Sequence, residues 1–393
     1  MYKLLYFHCL TKSALLKLTG NRLNYDFDLE MMKHELQVIA GLGCGILLIG
    51  FSLLGVADGW HVAGQWLLQA GLIWGFVWQY AGRRLALNRA AAGMPLYTNL
   101  GWGNRLTLLR GGLITLTGGF LFLNLNELLP AILYTLAALL DRLDGYVARR
   151  SKQVSLLGNE LDITFDALGL LVAPLLAIGW GKIHGSYLVL SMAYYVYQWA
   201  LQRRHKQGLP LYTLPPNPLR RTLAGFQMGF IAVALWPVLN PQLTLIAGVA
   251  FMLPVLFGFA VDWWVVSGRL QPQIVSKLDE WSRRFFQPGL RLLLVLLLFS
   301  AARDFGLFRF AGTTDYVQAF VVLFSAGLIV LGWAGRLGAL LLMLLLGWHS
   351  AGRDIDVTGY ALIFTVSWIL LLGTGRFSLR QWDDEWVQRY DGA

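Results

Sequence analysis

From residue 37 to residue 374, apolar runs alternate with short polar stretches carrying most of the charge. A helix that crosses a bilayer needs roughly 20 mostly apolar residues. That criterion predicts twelve spans, at 37–56, 63–82, 106–124, 127–147, 155–179, 185–202, 222–239, 243–266, 289–307, 316–334, 336–350 and 357–374. The fold class expected is therefore an all-α polytopic membrane protein. Two connecting segments are long. Residues 83–105 mix Arg, Leu, Tyr and Trp, and their second half reads as an interfacial helix on the membrane surface. The stretch "RLQPQIVSKLDEWSRRFFQPG" is polar, contains two prolines and marks the best domain boundary.

Composition agrees with this pattern. Hydrophobic residues make up 56% of the chain and charged residues 14%, where soluble domains carry about a quarter charged. A net charge of +10 would suit nucleic acid, but the basic residues stand in short clusters between spans. That distribution points to topology and anionic headgroups and excludes nucleic acid as the expected partner. With the N-terminus in the cytoplasm, internal loops hold Arg83, Arg84, Arg89 and Arg105; Arg149, Arg150 and Lys152; Arg203, Arg204, Lys206, Arg220 and Arg221; and Arg269, Lys277, Arg283 and Arg284. The external turns between them offer only Lys182. By the positive-inside rule both termini face the cytoplasm. Cys9 and Cys44 stand far apart without a CxxC or His partner, which excludes a disulfide framework or a zinc site. Residues 1–33 lack a signal-peptide pattern and read as an amphipathic lead-in, or as a leader to a start at Met31 or Met32.

Against this apolar background the segment "DRLDGYVARRSKQVSLLGNELDITFD" carries Asp141, Asp144, Asp162 and Asp166. The first two are three residues apart and close one span; the second two are four apart and open the next. On helices each pair projects from one face. A short basic loop makes the two helices antiparallel neighbours, so all four carboxylates converge near the cytoplasmic interface. An Asp at the centre of a membrane helix costs roughly 2.5–3.5 kcal/mol on insertion scales, and four together add repulsion. Arg142 and Arg149 offset only part of this charge. An all-oxygen cluster without His or Cys favours Mg²⁺ or Mn²⁺. Solvated helix-end charge is the usual account of a single Asp beside a membrane, but not of four on facing helices. Gly145, Ala148 and Gly158 leave room beside the acids for a ligand or for close helix contact.

The spacing resembles the signature of the CDP-alcohol phosphatidyltransferase family, D-x2-D-G-x2-A-R-x8-G-x3-D-x3-D, and every position is present: Asp141, Asp144, Gly145, Ala148, Arg149, Gly158, Asp162 and Asp166. Upstream, "GNRLTLLR" is similar to the family's Asn-x-x-Thr-x-x-Arg opening, with Asn104, Thr107 and Arg110, although Gly103 stands where a proline is usual. Asn104 also fits a plain helix N-cap. The resemblance implies a six-helix core over 100–268, preceded by a two-span extension at 1–99 and followed by a linker at 269–288 and four spans at 289–393. The last part is more weakly similar to the DoxX-like membrane family through "GWAGRLGALLLMLLLG" and "LLLGTGRFSLRQW". His349, Arg303 and Asp304 are its notable ionisable groups, all near span ends.

The resemblance further implies transfer of a substituted phosphate from a CDP-alcohol, here CDP-diacylglycerol, to an acceptor alcohol with release of CMP, within phospholipid biosynthesis. It makes Asp141, Asp144, Asp162 and Asp166 metal ligands for Mg²⁺ or Mn²⁺ and Asp166 the general base. Gly145, Ala148, Arg149, Gly158, Asn104 and Thr107 would bind nucleotide, Arg149 serving equally well as a topology charge. Arg220 and Arg221 are candidates for the acceptor, with ordinary loop charge as the alternative. A bacterial inner-membrane location and a homodimer complete the expectation. The rival readings are a membrane scaffold that has lost activity, and a transporter or lipid-binding protein; a transporter would scatter acids along its helices near mid-bilayer.

Overall fold

In a computed structural model the chain is described over residues 22–123, 125–215, 218–304, 313–350 and 355–380. Cys9 and the first part of the N-terminal lead-in fall outside these residues, as do the side chains of Arg221, Arg303 and Asp304. Helix dominates, and no strand occurs among the described residues. The helices are α1 (Arg22–Ala57), α2 (Trp60–Gly82), α3 (Gly101–Gly118), α4 (Leu128–Arg150), α5 (Leu156–Gly179), α6 (Tyr187–Lys206), α7 (Pro218–Ala234), α8 (Pro241–Val266), α9 (Gln273–Trp281), α10 (Gln287–Asp304), α11 (Thr313–Leu331), α12 (Gly335–His349) and α13 (Val357–Leu372). Each predicted span coincides with one of them, α9 being the addition. Stretches of α1, α5, α8 and a continuous run from Gln273 to Ala301 are long and apolar enough to cross a membrane unaided. On α1, Leu42, Ile46, Ile49 and Leu53 are more than half exposed, as expected of a face turned to lipid. The protein is an integral membrane protein.

One expectation about the connecting segments changes. The second half of 83–105 forms no interfacial helix: after a single 3₁₀ turn at Leu85–Leu87 it runs as turns until α3 begins at Gly101. Pro95 disfavours a helical residue before it, and Gly93 adopts φ +84°. Conversely, the polar stretch 269–288 is largely helical. α9 passes through a π-helical turn at Ser282–Phe286 into α10, with Pro272 at the N-cap of α9, where a missing N–H costs nothing.

The chain divides into two compact units, residues 1–176 and 177–393, with the boundary in the last turn of α5. In the first unit α1 returns on α2 through Asp58 and Gly59 (φ +98°). Glycines on α1 receive indoles from α2: Gly43 meets Trp74, Gly50 meets Trp66 and Gly55 meets Trp60. α2 in turn packs on α3, whose Gly111, Gly118 and Gly119 face Val77, Ile73 and Trp66. Small residues let helix backbones approach closely where lipid offers no hydrophobic driving force. α3 then packs along α4.

In the second unit α8 packs against α6, α7 and α13, and α13 also against α10 and α12. Leu290, Leu294, Ile329, Leu342, Val366 and Ile369 belong to its apolar core. Three buried cations there satisfy backbone carbonyls. Lys182 donates to Leu235 and Trp236, Arg336 to Leu370 and Leu371, and Arg291 to Val330, Thr374, Arg376 and Phe377. In an apolar surrounding each unmet carbonyl would be costly.

Candidate active site

The acid-bearing helices are joined by a turn that the local sequence specifies. α4 ends in a Schellman motif: Lys152 takes a left-handed conformation (φ +56°), its N–H donates to Arg149, and the Gln153 N–H donates to Ala148. Ser155 then caps α5, its hydroxyl accepting the Gly158 N–H at 2.9 Å. The Leu156 N–H donates to the carbonyl of Arg89 at 2.9 Å. With both helix ends satisfied, the chain turns from α4 into α5 within five residues.

This return brings the four aspartates around one cation that the sequence reading left without a role. Arg110 on α3 has a fully buried side chain. One of its terminal nitrogens, Nη1, donates to Asp141 and, at 3.1 Å, to Asp162 Oδ1; it also stands 3.6 Å from Asp144 Oδ2. The other, Nη2, donates to Asp166 Oδ1 at 2.8 Å and to the Asp162 carbonyl at 3.0 Å. A planar guanidinium reaches these carboxylates from two separate nitrogens held in a rigid fork, where an ammonium offers its three donors from a single point. Sequence did hold the signal: an Arg within a predicted span is a functional candidate by default.

Carboxylate oxygens of Asp141, Asp162 and Asp166 all lie within 4.8 Å of one another. Their side chains are 27%, 44% and 35% exposed, whereas that of Asp144 is 6% exposed. Asp144 is turned toward α3 and accepts from the Thr107 hydroxyl at 2.8 Å. One guanidinium offsets one of four negative charges. The remaining charge and the all-oxygen donor set fit a hard divalent cation.

The predicted nucleotide residues divide into two groups. Gly103 and Ala148 form a close helix crossing, where a Cβ on Gly103 would stand 2.7 Å from the Ala148 Cβ. Asn104 is buried, and its amide donates to Asn88 Oδ1, the Leu100 carbonyl and the Ser155 hydroxyl at 2.9, 2.7 and 3.1 Å. Gly145 and Arg149 sit together on the more open side of α4, Arg149 being exposed. A Cβ at Gly158 would lie 2.6 Å from Asn104 Oδ1 and 3.3 Å from Ser155 Oγ. Gly158→Ala is therefore expected to disrupt that network and destabilise the protein by about 1–3 kcal/mol, the usual range for overpacking. At Gly145 the nearest atom is the mobile tip of Arg149, at 3.3 Å, so Gly145→Ala should be nearly neutral. Thermal melts of the two variants in detergent check the contrast.

Of the acceptor candidates, Arg220 is in the first turn of α7, paired with Asp262 Oδ1 at 2.7 Å and donating to the Pro215 carbonyl. His349 ends α12.

Comparison with known proteins bears on the six helices α3 to α8. The family model described as CDP-alcohol phosphatidyltransferase matches residues 102–266. An archaetidylinositol phosphate synthase from Pyrococcus horikoshii is 43% identical over 65 residues, which is 16% of this chain and 34% of the relative. The chain thus spans about a third of the length of the curated relative it matches. No solved structure matches the chain. With the signature complete and its acids gathered around Arg110, the chain resembles the CDP-alcohol phosphatidyltransferases over residues 102–266, about two fifths of its length.

Proposed function

We propose that this protein transfers a substituted phosphate from a CDP-alcohol to an acceptor alcohol and releases CMP, as a step of phospholipid synthesis. The observation that carries the reading is the meeting of Asp141, Asp162 and Asp166, from two helix ends of one complete signature, within 4.8 Å. These three carboxylates would hold the divalent ion, Mg²⁺ or Mn²⁺, with Asp144 completing the set from beneath. The ion supplies positive charge to the donor diphosphate and to the departing CMP. Asp166 accepts the proton of the acceptor hydroxyl as its oxygen forms the new bond to phosphorus; the bond from that phosphorus to the CMP oxygen breaks, and CMP leaves with the electron pair. Gly145 leaves space for the nucleotide on the open side of α4 and Arg149 beside it would meet a phosphate, while Ala148 and Gly158 let α3 approach the acid-bearing helices closely. Thr107 and Asn104 hold the floor of the site through Asp144 and Ser155.

The donor is CDP-diacylglycerol or a lipid like it, because the acids sit at helix ends beside the membrane interface, where such a lipid presents its headgroup. The loop charges support a cytoplasmic orientation of this end, and a bacterial inner membrane is the location that goes with this reading. The relative's name points to a phosphorylated inositol as acceptor, and Arg220, paired with Asp262, and Arg221 are the candidates that the sequence offers for its phosphate. Ala167, directly after the last Asp, is a departure from several phosphate-accepting relatives. A homodimer fits the family. The test offers purified protein, Mn²⁺ and CDP-diacylglycerol a panel of serine, glycerol phosphate, inositol and inositol phosphate. Release of CMP with one acceptor, lost on chelation, is expected; release that is equal with all of them, or with none, would reject an acceptor-specific transferase.

A further inference from the structure

The matched domain begins at residue 102, yet the back of its acid helix is held by residues that precede it. The Tyr80 hydroxyl, near the end of α2, donates to Glu160 Oε2 at 3.3 Å and accepts from the Thr164 hydroxyl at 2.7 Å. Arg84, one turn further, lies over the Tyr80 ring with its guanidinium carbon 3.6 Å from the centroid, and its Nε is 3.7 Å from Glu160 Oε2. Glu160 and Thr164 are one turn apart on α5, so a single phenol bridges that turn.

Their place on α5 gives the contact its meaning. Asp162 and Asp166 also lie one turn apart, offset from Glu160 and Thr164 by two residues. At about 100° per residue that offset is close to 200°, which puts the two pairs on opposite faces. Arg110 engages α5 from the acid face, while Tyr80 and Arg84 engage it from behind. One turn below Tyr80, Val77 and Phe165 meet at Gly111, where an added Cβ would stand 3.1 and 3.0 Å from them. A further attachment is made at the first turn of α5, where the Arg89 carbonyl takes the Leu156 N–H. A helix gripped on both faces and at its start cannot rotate freely about its axis.

We propose that Tyr80 and Arg84, from the extension that precedes the transferase domain, are positioning residues: they fix the rotation of α5 and with it the placing of Asp162 and Asp166 against Asp141. The extension is then a working part of the site and not only an anchor. Groups that orient metal ligands without touching the metal commonly govern metal affinity. This inference rests on the reading of Asp141, Asp162 and Asp166 as ligands of a divalent ion.

The experiment titrates Mn²⁺ into the full-length protein in detergent, reading bound metal by electron paramagnetic resonance. Tyr80→Phe keeps the ring and Thr164→Val keeps the shape, and each removes one partner of the same bond. Each is expected to weaken Mn²⁺ binding roughly fivefold, the equivalent of one net hydrogen bond, and the double variant should bind no more weakly than the weaker single one. A bond that only braces the fold would lower the melting temperature and leave Mn²⁺ affinity unchanged; that result, with Asp162→Asn losing the metal, overturns the positioning role and spares the metal site. Undiminished Mn²⁺ binding in Asp162→Asn overturns the metal-site reading and this proposal with it.

Discussion

Replacing Arg110 by methionine is expected to destabilise the protein by about 3–5 kcal/mol, the cost of removing one partner from a buried ion pair. The side chain is fully buried, and it meets carboxylates from both acid helices. Methionine fills much of the same volume, so the loss isolates charge and hydrogen bonding from packing. Asp141, Asp144, Asp162 and Asp166 would then repel one another with no guanidinium between them, Asp144 most severely because it alone of the four is buried. Lysine should rescue only part of the loss, because an ammonium cannot reproduce the two-sided fork that engages Asp141, Asp162 and Asp166 at once. Added Mg²⁺ should raise the melting temperature of Arg110→Met more than that of the unmodified protein, since divalent charge replaces the missing guanidinium. Thermal melts in detergent, with and without Mg²⁺, check this. A variant that melts with the parent would mean that Arg110 is not the counter-ion of the cluster.

The second large effect concerns Asp166. Asparagine keeps the shape of the side chain and can still accept from Arg110 Nη2, now at 2.8 Å from Asp166 Oδ1, but it cannot take a proton from an acceptor hydroxyl. Loss of a general base alone costs about 10²–10⁴-fold in turnover, and loss of a metal ligand adds to it. Asp166→Asn should therefore fold, bind the CDP-alcohol and fail to release CMP above this residual level. Asp144→Asn makes a useful contrast. Its carboxylate is buried against Thr107, so its loss should bear on stability as well as on metal binding. Turnover undiminished in Asp166→Asn would reassign the base.

Much of this was legible in the chain because it is local or periodic. Apolar runs located twelve of the helices among the described residues, since a bilayer imposes length and hydropathy directly on sequence. The acids at three- and four-residue spacing declared their shared helix faces for the same reason. Contacts across elements were not legible. Arg110 was seen as part of a motif, but its partners lie 31 to 56 residues away, and nothing in the spacing says which way a long side chain turns. Arg84 was legible only as a loop charge, and nothing in the spacing singles out Tyr80 or Asn88, whose partners come from other elements. The segment 83–105 was misread because Leu, Tyr and Trp between arginines imitate an amphipathic helix, while Gly93 and Pro95 break it. The helical character of 269–288 was not legible either: Pro272 stands at the N-cap of α9, where it stops nothing, and Pro288 follows the π-helical turn at Ser282–Phe286 in a run that stays helical.

The central claim is the reaction itself. Full-length protein in detergent would be given Mn²⁺, CDP-diacylglycerol labelled in its phosphatidyl group and the acceptor that supports turnover, and both products would be quantified. The account predicts CMP and a labelled phosphodiester in equal amounts, both lost in Asp166→Asn. CMP formed without the phosphodiester, or no CMP with any alcohol while the lipid remains bound, would contradict it.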